Sequence, residues 1–373
     1  MMVVGEASGD AHAARVVTAL KRQAPDIKVS GIGGDNLRAS GMDVTIDFSE
    51  LAVMGLVEVL KRYRHLKQVF NQMVELLKTQ RPDLLVLVDY PGFNLKLAKE
   101  AKKLSIPVAY YISPKVWAWR KGRIKTIKRF VDKMLVLFPF EVPIYEQAGV
   151  RVHCVGHPLV DAVQRTLTTE QAKQKLGLIP EHKVIGLFPG SRRSEVQIML
   201  PLMIQAAERL VQQDPNLQIV VPLAQGLSET LLTSILANTA LSIRVVSSDF
   251  YELTSACDAI VAASGTVTLE IALLKVPHFI CYRVSPLTYS IMSRLVTIPY
   301  VGLCNIVTGK ALITEILQDA VTVYRLEEEL RDRLTRTDSQ TLADDIGQQV
   351  RSSLGPAGGA HTAAEQIIGM LNQ

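Results

Sequence analysis

Two turns combine small and polar residues in a way suited to binding an anion. Each follows a run that reads as a buried strand and precedes a run with helical apolar spacing; they are FPGSRRSE (residues 188–195) and ASGTVTLE (residues 263–270). Small residues at such a turn let backbone N–H groups approach an anion, and the helix N-terminus adds partial positive charge. Two of them in one half of the chain predict a nucleotide diphosphate held between them. The residues expected to bind it are Gly190, Ser191, Arg192, Ser264, Gly265 and Thr266.

Two charged side chains beside these turns could add further contacts. The guanidinium of Arg192 could bind a diphosphate through two hydrogen bonds and neutralise a leaving group, whereas one of the pair Arg192 and Arg193 is expected to be an ordinary solvated charge. Glu270 comes about one helical turn after Gly265 and Thr266, where a carboxylate could accept hydrogen bonds from ribose hydroxyls. The alternative for Glu270 is a first-turn residue favoured by the helix dipole alone.

Asp89 is a candidate catalytic carboxylate. It directly follows the apolar run at residues 84–88. An acid at the carboxyl end of a buried parallel strand points into the crevice that ligands use in such sheets. The alternative is a turn residue that ends the strand and caps the next helix, a reading that Pro91 and Gly92 favour.

Glu6 is a second candidate carboxylate. It lies in GEASGD (residues 5–10), between the first predicted strand and the first predicted helix. The helix N-terminus would stabilise it as an anion, so we expect it to orient a substrate and to be a weaker base than Asp89. A tight turn with Ser8 or Asp10 as helix cap would explain everything in this segment except Glu6.

Several other kinds of site are not indicated. The segment HCVGH (residues 153–157) resembles a metal cluster, but no further ligand pair has matching spacing, so no metal is expected. The chain has no Gly-Lys-Ser/Thr phosphate loop, which argues against ATP-type phosphoryl transfer. None of its candidate serines lies in a GxSxG turn, which argues against a hydrolase triad. Neither a cofactor nor a nucleic-acid partner is expected.

Composition is that of a globular protein with a modest basic excess. The 373 residues suit two domains, and charged residues make up 21%. No apolar run reaches 18 residues and no signal peptide is visible, so neither a spanning helix nor secretion is expected. The four cysteines are scattered, which fits a reducing cytoplasm. A net charge of +5 and a mean hydropathy of +0.19 would both suit contact with an anionic membrane surface.

One basic amphipathic segment could make that contact. Residues 56–70 place apolar side chains, Tyr63 among them, on one helical face, which is flanked by Lys61, Arg62, Arg64 and Lys67. Such a helix can lie in a membrane interface. A core-facing helix with a solvated basic side is an equally good interpretation.

Strands alternate with helical patterns along the whole chain, which predicts βαβ units and parallel sheets. We therefore expect an α/β protein of two Rossmann-like, doubly wound parallel-sheet domains that face a common cleft. The predicted divisions are an N-terminal domain at 1–165, a second domain at 166–345 and a helical segment at 346–373 that packs back on the first domain. The first strand is oddly short, so either the chain starts late or the edge of the sheet is clipped.

Motifs spread over nearly the whole chain resemble the lipid-A-disaccharide synthase family, which is made of inverting glycosyltransferases of the two-domain GT-B type. The most specific are GEASGD (residues 5–10) and SPKVWAWR (residues 113–120). The others are ELAVMG (50–55), GH (156–157), LFPGSR (187–192), ASGT (263–266), YR (282–283) and YVGLCN (300–305). Cys304 stands where proline is expected, and Gly92 stands where some relatives carry a second acid.

The resemblance implies a reaction, with the acceptor bound by the domain at 1–165 and the UDP-sugar by the domain at 166–345. The donor would be UDP-2,3-diacylglucosamine, the acceptor 2,3-diacylglucosamine 1-phosphate, and the products the β-1′,6-linked lipid A disaccharide 1-phosphate and UDP. Asp89, Glu6, Arg192 and Asn305 would be catalytic, Arg283 and Asn305 would join the UDP-binding set, and no metal would be needed. The protein would act in the cytoplasm, peripherally on the inner face of the inner membrane, and a homodimer is left open.

Two other classes of function stay open at this stage. One is another GT-B-type UDP-sugar transferase or a UDP-sugar isomerase, which product analysis would separate. The other is a non-catalytic nucleotide-sugar-binding protein, which would tolerate the loss of Asp89.

Overall fold

The computed structural model describes residues 1–51, 56–119, 122–224, 226–285, 289 and 298–373, with the side chains of residues 56–63 outside that description. The chain forms two compact units. Unit 1 comprises Met1–Asp161 and Leu354–Gln373, and unit 2 comprises Ala162–Ser353.

Unit 1 is built on a seven-stranded parallel sheet in the order β3-β2-β1-β4-β5-β6-β7. Its central strands are short, fully buried apolar runs, as expected for a sheet covered by helices on both faces. The strands are β1 Met2–Val4, β2 Ser30–Gly33, β3 Asp43–Asp47, β4 Leu85–Val88, β5 Val108–Tyr111, β6 Lys133–Val136 and β7 Val152–Cys154.

The helices of unit 1 follow the strands in the pattern that the alternation predicts. They are α1 Ala7–Gln23, α2 Asp35–Ala39, α3 Leu56–Gln80, α4 Pro91–Lys103, α5 Arg123–Phe130, α6 Val142–Gln147 and α7 Leu159–Ala162, the last at the division between the units. Short 3-10 turns lie at Phe48–Glu50 and Pro139–Glu141.

Unit 2 is built on a six-stranded parallel sheet in the order β10-β9-β8-β11-β12-β13. The strands are β8 Val184–Phe188, β9 Gln218–Pro222, β10 Ile243–Val246, β11 Ala259–Ala263, β12 His278–Tyr282 and β13 Glu315–Leu317. The helices are α8 Thr169–Lys175, α9 Arg193–Val211, α10 Glu229–Leu236, α11 Phe250–Ala256, α12 Val267–Leu273, α13 Leu303–Thr308, α14 Val323–Thr335 and α15 Ser339–Ser353, with a 3-10 turn at Gln318–Ala320.

The last helix of the chain, α16 Gly359–Leu371, belongs to unit 1. It packs against α1, where Ala363, Ala364 and Ile367 join the buried cluster that contains Val16 and Val17. The structure divides the chain at 161/162 and 353/354, whereas the predicted divisions were 165/166 and 345/346. The second division differs because α15 runs unbroken to Ser353, so the chain changes unit only after that helix ends.

The prediction of two Rossmann-like parallel-sheet domains is confirmed. One detail of it is wrong: β1 lies in the middle of its sheet, paired with β2 and β4, so the short first strand is not a clipped sheet edge. Among the described residues, no helix has the length and apolar character needed to cross a membrane.

Candidate active site

Asp89 lies directly after β4 in an unusual backbone conformation. Both Asp89 and Tyr90 have positive φ, 45° and 46°, a region that residues other than glycine seldom adopt. Two buried donors hold this conformation through the carbonyl oxygen of Asp89: the Tyr110 hydroxyl at 2.6 Å and the Asn94 side-chain amide at 2.7 Å. The N-cap position of α4 is occupied by Tyr90, so the alternative role of Asp89 as a helix cap is wrong.

Glu6 lies close to Asp89, near enough for the two carboxyl groups to share a hydrogen bond when one of them is protonated. Gly5 makes this approach possible, because a Cβ added there would lie 2.2 Å from the Tyr90 ring. Burial, and after it the negative charge of Glu6, raise the pKa of Asp89 to about 6. The structure therefore brings together the two carboxylates that the sequence placed on separate turns.

The neighbours of Glu6 have roles that differ from those predicted. The alternative interpretation of this segment made Ser8 or Asp10 the cap of α1, but the helix begins at Ala7, before either of them. The Ser8 hydroxyl donates to Glu6 at 3.1 Å, and the buried Asp10 accepts backbone N–H groups of Gly34 and Asn36 at 2.6 and 3.1 Å. Ser8 thus orients the Glu6 carboxylate, whereas Asp10 ties α1 to the turn after β2.

Lys115 is a charge near Asp89 that sequence reasoning did not assign. It lies in the loop after β5, and its positive charge opposes the rise in the pKa of Asp89. Hydrogen bonds hold the loop at Ser113, whose hydroxyl pairs with the Tyr145 hydroxyl at 2.6 Å, and at Trp117, whose Nε1 donates to Glu141 at 3.2 Å. The motif SPKVWAWR pointed to this loop without singling out the lysine. Its Arg120, like residues 52–55 of ELAVMG, is outside the described residues.

The segment HCVGH lies at β7 and the turn that follows it. His157 stacks on Phe138 with ring centroids 5.0 Å apart, and its Nδ1 accepts the backbone N–H of Leu159 at 3.2 Å. Burial lowers the pKa of His157 to about 4, so the ring is neutral at pH 7. In the part of the chain that the structure describes, no three His, Cys, Asp or Glu side chains are grouped to hold a metal ion.

In unit 2, the turn after β8 is shaped by Glu195. Gly190 has a φ of +104°, and a Cβ there would lie 2.6 Å from Glu195 Oε2. Glu195 is buried; it accepts the backbone N–H of Arg192 at 3.3 Å and forms an ion pair with the Arg192 guanidinium at 2.7 Å. Tyr282, at the end of β12, donates to the same carboxylate at 3.3 Å. Ser191 and Arg192 are exposed at this turn.

The second anion-type turn lies beside the first. Strands β8 and β11 are neighbours in the sheet, with Phe188 opposite Ala262. Both turns therefore leave the sheet at the same edge, the one formed by the carboxyl ends of the parallel strands. Ser264, Gly265 and Thr266 follow β11, and the exposed Thr266 is at the N-cap position of α12. Arg283, directly after the adjacent strand β12, reaches the same edge. The predicted UDP-binding residues before position 300 are thus brought together within unit 2.

Glu270 lies in the first turn of α12 and is largely buried. The Tyr251 hydroxyl donates to Glu270 Oε1 at 3.3 Å, and burial raises the pKa of the Glu270 carboxyl. A partly desolvated carboxylate with one donor keeps acceptor capacity for hydroxyl groups. This environment favours the prediction that Glu270 contacts ribose over the alternative that it is an ordinary solvated residue of the first turn.

Asn305 is not placed as expected. It is 1% exposed, and its side-chain amide donates to Ile313 O at 2.8 Å and to Glu315 Oε1 at 2.7 Å. Its side-chain oxygen accepts the N–H groups of Leu312 and Ile313 at 2.9 and 3.0 Å. All four hydrogen-bonding positions of the amide are therefore occupied inside unit 2. The prediction that this amide binds a sugar hydroxyl or a diphosphate oxygen is corrected to an internal role.

The basic amphipathic helix is α3. Its side chains are described from residue 64 onwards, so Lys61, Arg62 and Tyr63 lie outside the described side chains. Arg64 and Lys67 are exposed, whereas Leu66 and Phe70 pack against the core of unit 1. From residue 64 onwards the apolar face of α3 therefore packs in the core of unit 1, and the exposed basic side is the part that could contact a membrane surface.

Comparison with known proteins gives one family. The family model for lipid-A-disaccharide synthetase matches residues 1–367. The lipid-A-disaccharide synthase of Trichlorobacter lovleyi is 45% identical over 373 residues, which cover 100% of this chain and 97% of that protein. The enzyme of the same name from Geobacter metallireducens is 43% identical over 374 residues, with coverage of 100% and 97%.

Solved structures agree on the fold. The UDP complex of S. aureus MnaA has a TM-score of 0.65 at 13% identity, covering 99% of this chain and 94% of that chain. The calicheamicin glycosyltransferase CalG4 has a TM-score of 0.59 at 13% identity, with coverage of 96% and 94%. At these identities the likeness concerns the fold alone, which is the GT-B fold class, built from two Rossmann-like domains. From its sequence over nearly the full length, the chain belongs to the lipid-A-disaccharide synthase family.

Proposed function

We propose that this protein transfers 2,3-diacylglucosamine from UDP-2,3-diacylglucosamine to 2,3-diacylglucosamine 1-phosphate with inversion, giving the β-1′,6-linked disaccharide 1-phosphate and UDP. Family membership makes the protein a glycosyltransferase of lipid A synthesis. The observation that carries the finer reaction is the pairing of Asp89 with Glu6, because it supplies a carboxylate with a pKa of about 6. Such a group is ionised at pH 7 yet basic enough to accept a proton.

Asp89 is proposed as the general base. It takes the proton from the acceptor 6-hydroxyl as that oxygen attacks the anomeric carbon of the donor. The bond from the anomeric carbon to the diphosphate oxygen breaks, and its electron pair leaves with UDP. Positive charge develops on the sugar, as in other glycosyl transfers. Glu6 orients the acceptor and, through its charge, keeps Asp89 more basic than a solvated aspartate.

Unit 2 is proposed as the donor site. Negative charge grows on the diphosphate as the sugar leaves, so groups placed there act most strongly in the transition state. Arg192, held at its turn by Glu195, is the proposed partner of the diphosphate. The turns at Gly190–Ser191 and Ser264–Thr266 supply backbone N–H groups, Arg283 adds positive charge at the same edge, and Glu270 accepts from the ribose.

The test is product analysis with both acylated glucosamine substrates. We expect one equivalent of UDP per disaccharide, an inverted anomeric centre by NMR, and no product from Asp89→Asn. A UDP-sugar isomerase would instead convert the donor when the acceptor is left out. A binding protein would retain UDP affinity and release no UDP, and either result would overturn the proposal.

We also propose peripheral contact with an anionic leaflet, at the inner face of the inner membrane, through the basic side of α3. The exposed Arg64 and Lys67 support this, together with acyl chains on both proposed substrates, which hold them at a lipid surface. Each lysine or arginine side chain near such a surface contributes about 1 kcal/mol to the free energy of membrane binding. Co-sedimentation with vesicles that contain anionic lipid tests the contact.

A further inference from the structure

Glu315 binds the loop at Val301 and Gly302 in unit 2 through both oxygens of its carboxylate. It is the first residue of β13; Oε2 accepts the backbone N–H of Val301 at 2.8 Å and Oε1 accepts that of Gly302 at 3.0 Å. Asn305 donates a third N–H to Oε1 at 2.7 Å. Three donors compensate the negative charge of this carboxylate, which lowers the cost of placing it near a bound anion.

The held loop contacts the second anion-type turn directly. The Ser264 hydroxyl donates to the carbonyl oxygen of Val301 at 2.9 Å. Gly302 seats the loop against β12, because a Cβ there would lie 2.3 Å from Cδ1 of Ile280. A continuous set of hydrogen bonds therefore runs from Glu315 through the peptide groups of Val301 to Ser264.

We infer that Glu315 is a positioning residue of the donor site, which acts with Asn305 by fixing Val301 and, through it, the Ser264–Thr266 turn. This inference rests on the proposed binding of UDP at that turn. The N–H of Val301 donates to the Glu315 carboxylate, and the carbonyl oxygen of Val301 accepts from the Ser264 hydroxyl. Movement of Glu315 would therefore displace Ser264 through Val301. Neither Glu315 nor Asn305 needs to touch the nucleotide, in keeping with the burial of Asn305.

The test uses UDP itself and a double-mutant cycle on the full-length protein. Glu315→Gln replaces one acceptor oxygen by an NH₂ group that faces a backbone N–H, so the loop loses one of its two anchors. We expect about tenfold weaker UDP binding by calorimetry, a similar loss for Ser264→Ala, and a double variant no weaker than the worse single one. The KM for the donor should rise while the KM for the acceptor stays unchanged.

The control is Glu328→Gln, which removes the same charge from an exposed ion pair with Arg325 on α14 and should leave UDP binding unchanged. If Glu315→Gln does not fold, Glu315→Asp keeps the charge, shortens the side chain by one methylene and should still weaken UDP binding. Additive losses in the cycle, or unchanged affinity in the folded Glu315 variant while Ser264→Ala binds weakly, would overturn the positioning role alone. Unchanged affinity in Ser264→Ala would overturn both this role and the proposed donor turn.

Discussion

The hydroxyl of Tyr110 donates a 2.6 Å hydrogen bond to the backbone carbonyl oxygen of Asp89. Tyr110 is fully buried on β5, the strand next to β4, and Asn94 adds a second donor to the same oxygen. The proposed base is thus fixed through its main chain by two buried neighbours. Rigid support of this kind is what a positioned base requires.

Tyr110→Phe removes this hydrogen bond and keeps the ring. We expect a fall in kcat of about tenfold with little change in KM, because the base is less well placed while binding is untouched. The lost bond should also cost about 1 kcal/mol of stability, seen as a lower Tm. The matched control is Tyr111→Phe, the next residue on the strand, whose side chain packs in a different core cluster. Equal kcat values for the two variants would contradict the positioning of Asp89 by Tyr110.

The pH dependence of the reaction should follow Asp89. A base must be ionised, so kcat/KM should fall as the pH drops through about 6, the pKa of Asp89 beside Glu6. Glu6→Gln removes the neighbouring negative charge, which lowers the pKa of Asp89 and moves this acidic limb to lower pH. Asp35→Asn, a charge change at an exposed residue of α2, should leave the limb in place. A limb that stays fixed in Glu6→Gln would mean that another group titrates.

Arg192 and Arg193 should behave differently although they are adjacent. Arg192 is oriented at its turn by the ion pair with Glu195, whereas Arg193 is the first residue of α9 and exposed. A hydrogen bond to a charged group contributes about 1.5–3 kcal/mol, so Arg192→Ala should weaken UDP binding by roughly tenfold or more. Calorimetry with UDP on both variants checks this, with Arg193→Ala as the matched control. Equal losses in the two variants would point to general electrostatics and away from a specific contact.

The parallel sheets could be predicted from sequence because their central strands are apolar runs bounded by turns. The strands that no apolar pattern revealed, β3 and β13, are five and three residues long and lie at sheet edges. An edge strand is covered on fewer sides, so its sequence needs fewer apolar residues; β3 reads DVTID. Edge strands are therefore the part of such a fold that hydrophobic pattern predicts least well.

The site divides in a similar way. Small residues at strand ends mark a turn, so the two anion-type turns and Asp89 could be found locally. Tyr110 and Lys115 could not, because they approach Asp89 only through the pairing of β4 with β5 and the loop that follows β5. The error over Asn305 has the same origin: an asparagine amide can serve a ligand or the backbone, and only the fold around it decides which.

Membrane contact should depend on the basic side of α3. Arg64→Gln with Lys67→Gln removes two exposed charges that face solvent. At about 1 kcal/mol each, their loss should weaken binding to vesicles with anionic lipid by roughly thirtyfold, with less difference at high salt. The control pair is Arg325→Gln with Arg336→Gln, two half-exposed arginines of unit 2. Intact co-sedimentation of the α3 variant, or an equal loss in the control, would mean that α3 is simply part of the fold.

Asp89→Asn should abolish disaccharide formation and at the same time stabilise the protein. The fold raises the pKa of Asp89 from an ordinary value of 3.8 to about 6, so the folded protein holds this proton more tightly than the unfolded chain. Stability from this group is complete below about pH 4 and is lost as the pH rises through 6. Ionisation of Asp89 in the folded protein therefore lowers the free energy of unfolding by up to roughly 3 kcal/mol at pH 7.

The neutral amide that Asp89→Asn introduces does not carry that cost and cannot accept the proton. Compared with wild type, this variant should show a higher Tm at pH 7, no gain at pH 4, retained UDP binding, and less than about a tenth of the turnover, since a general base usually contributes about 10²–10⁴-fold. Asp35→Asn serves as the control for an exposed aspartate, with an unchanged Tm difference between the two pH values. Turnover above that level would move the base to Glu6 or another group. If the Tm of Asp89→Asn at pH 7 lies below that of wild type, the surroundings of Asp89 favour its ionised form and the argument from its raised pKa is wrong.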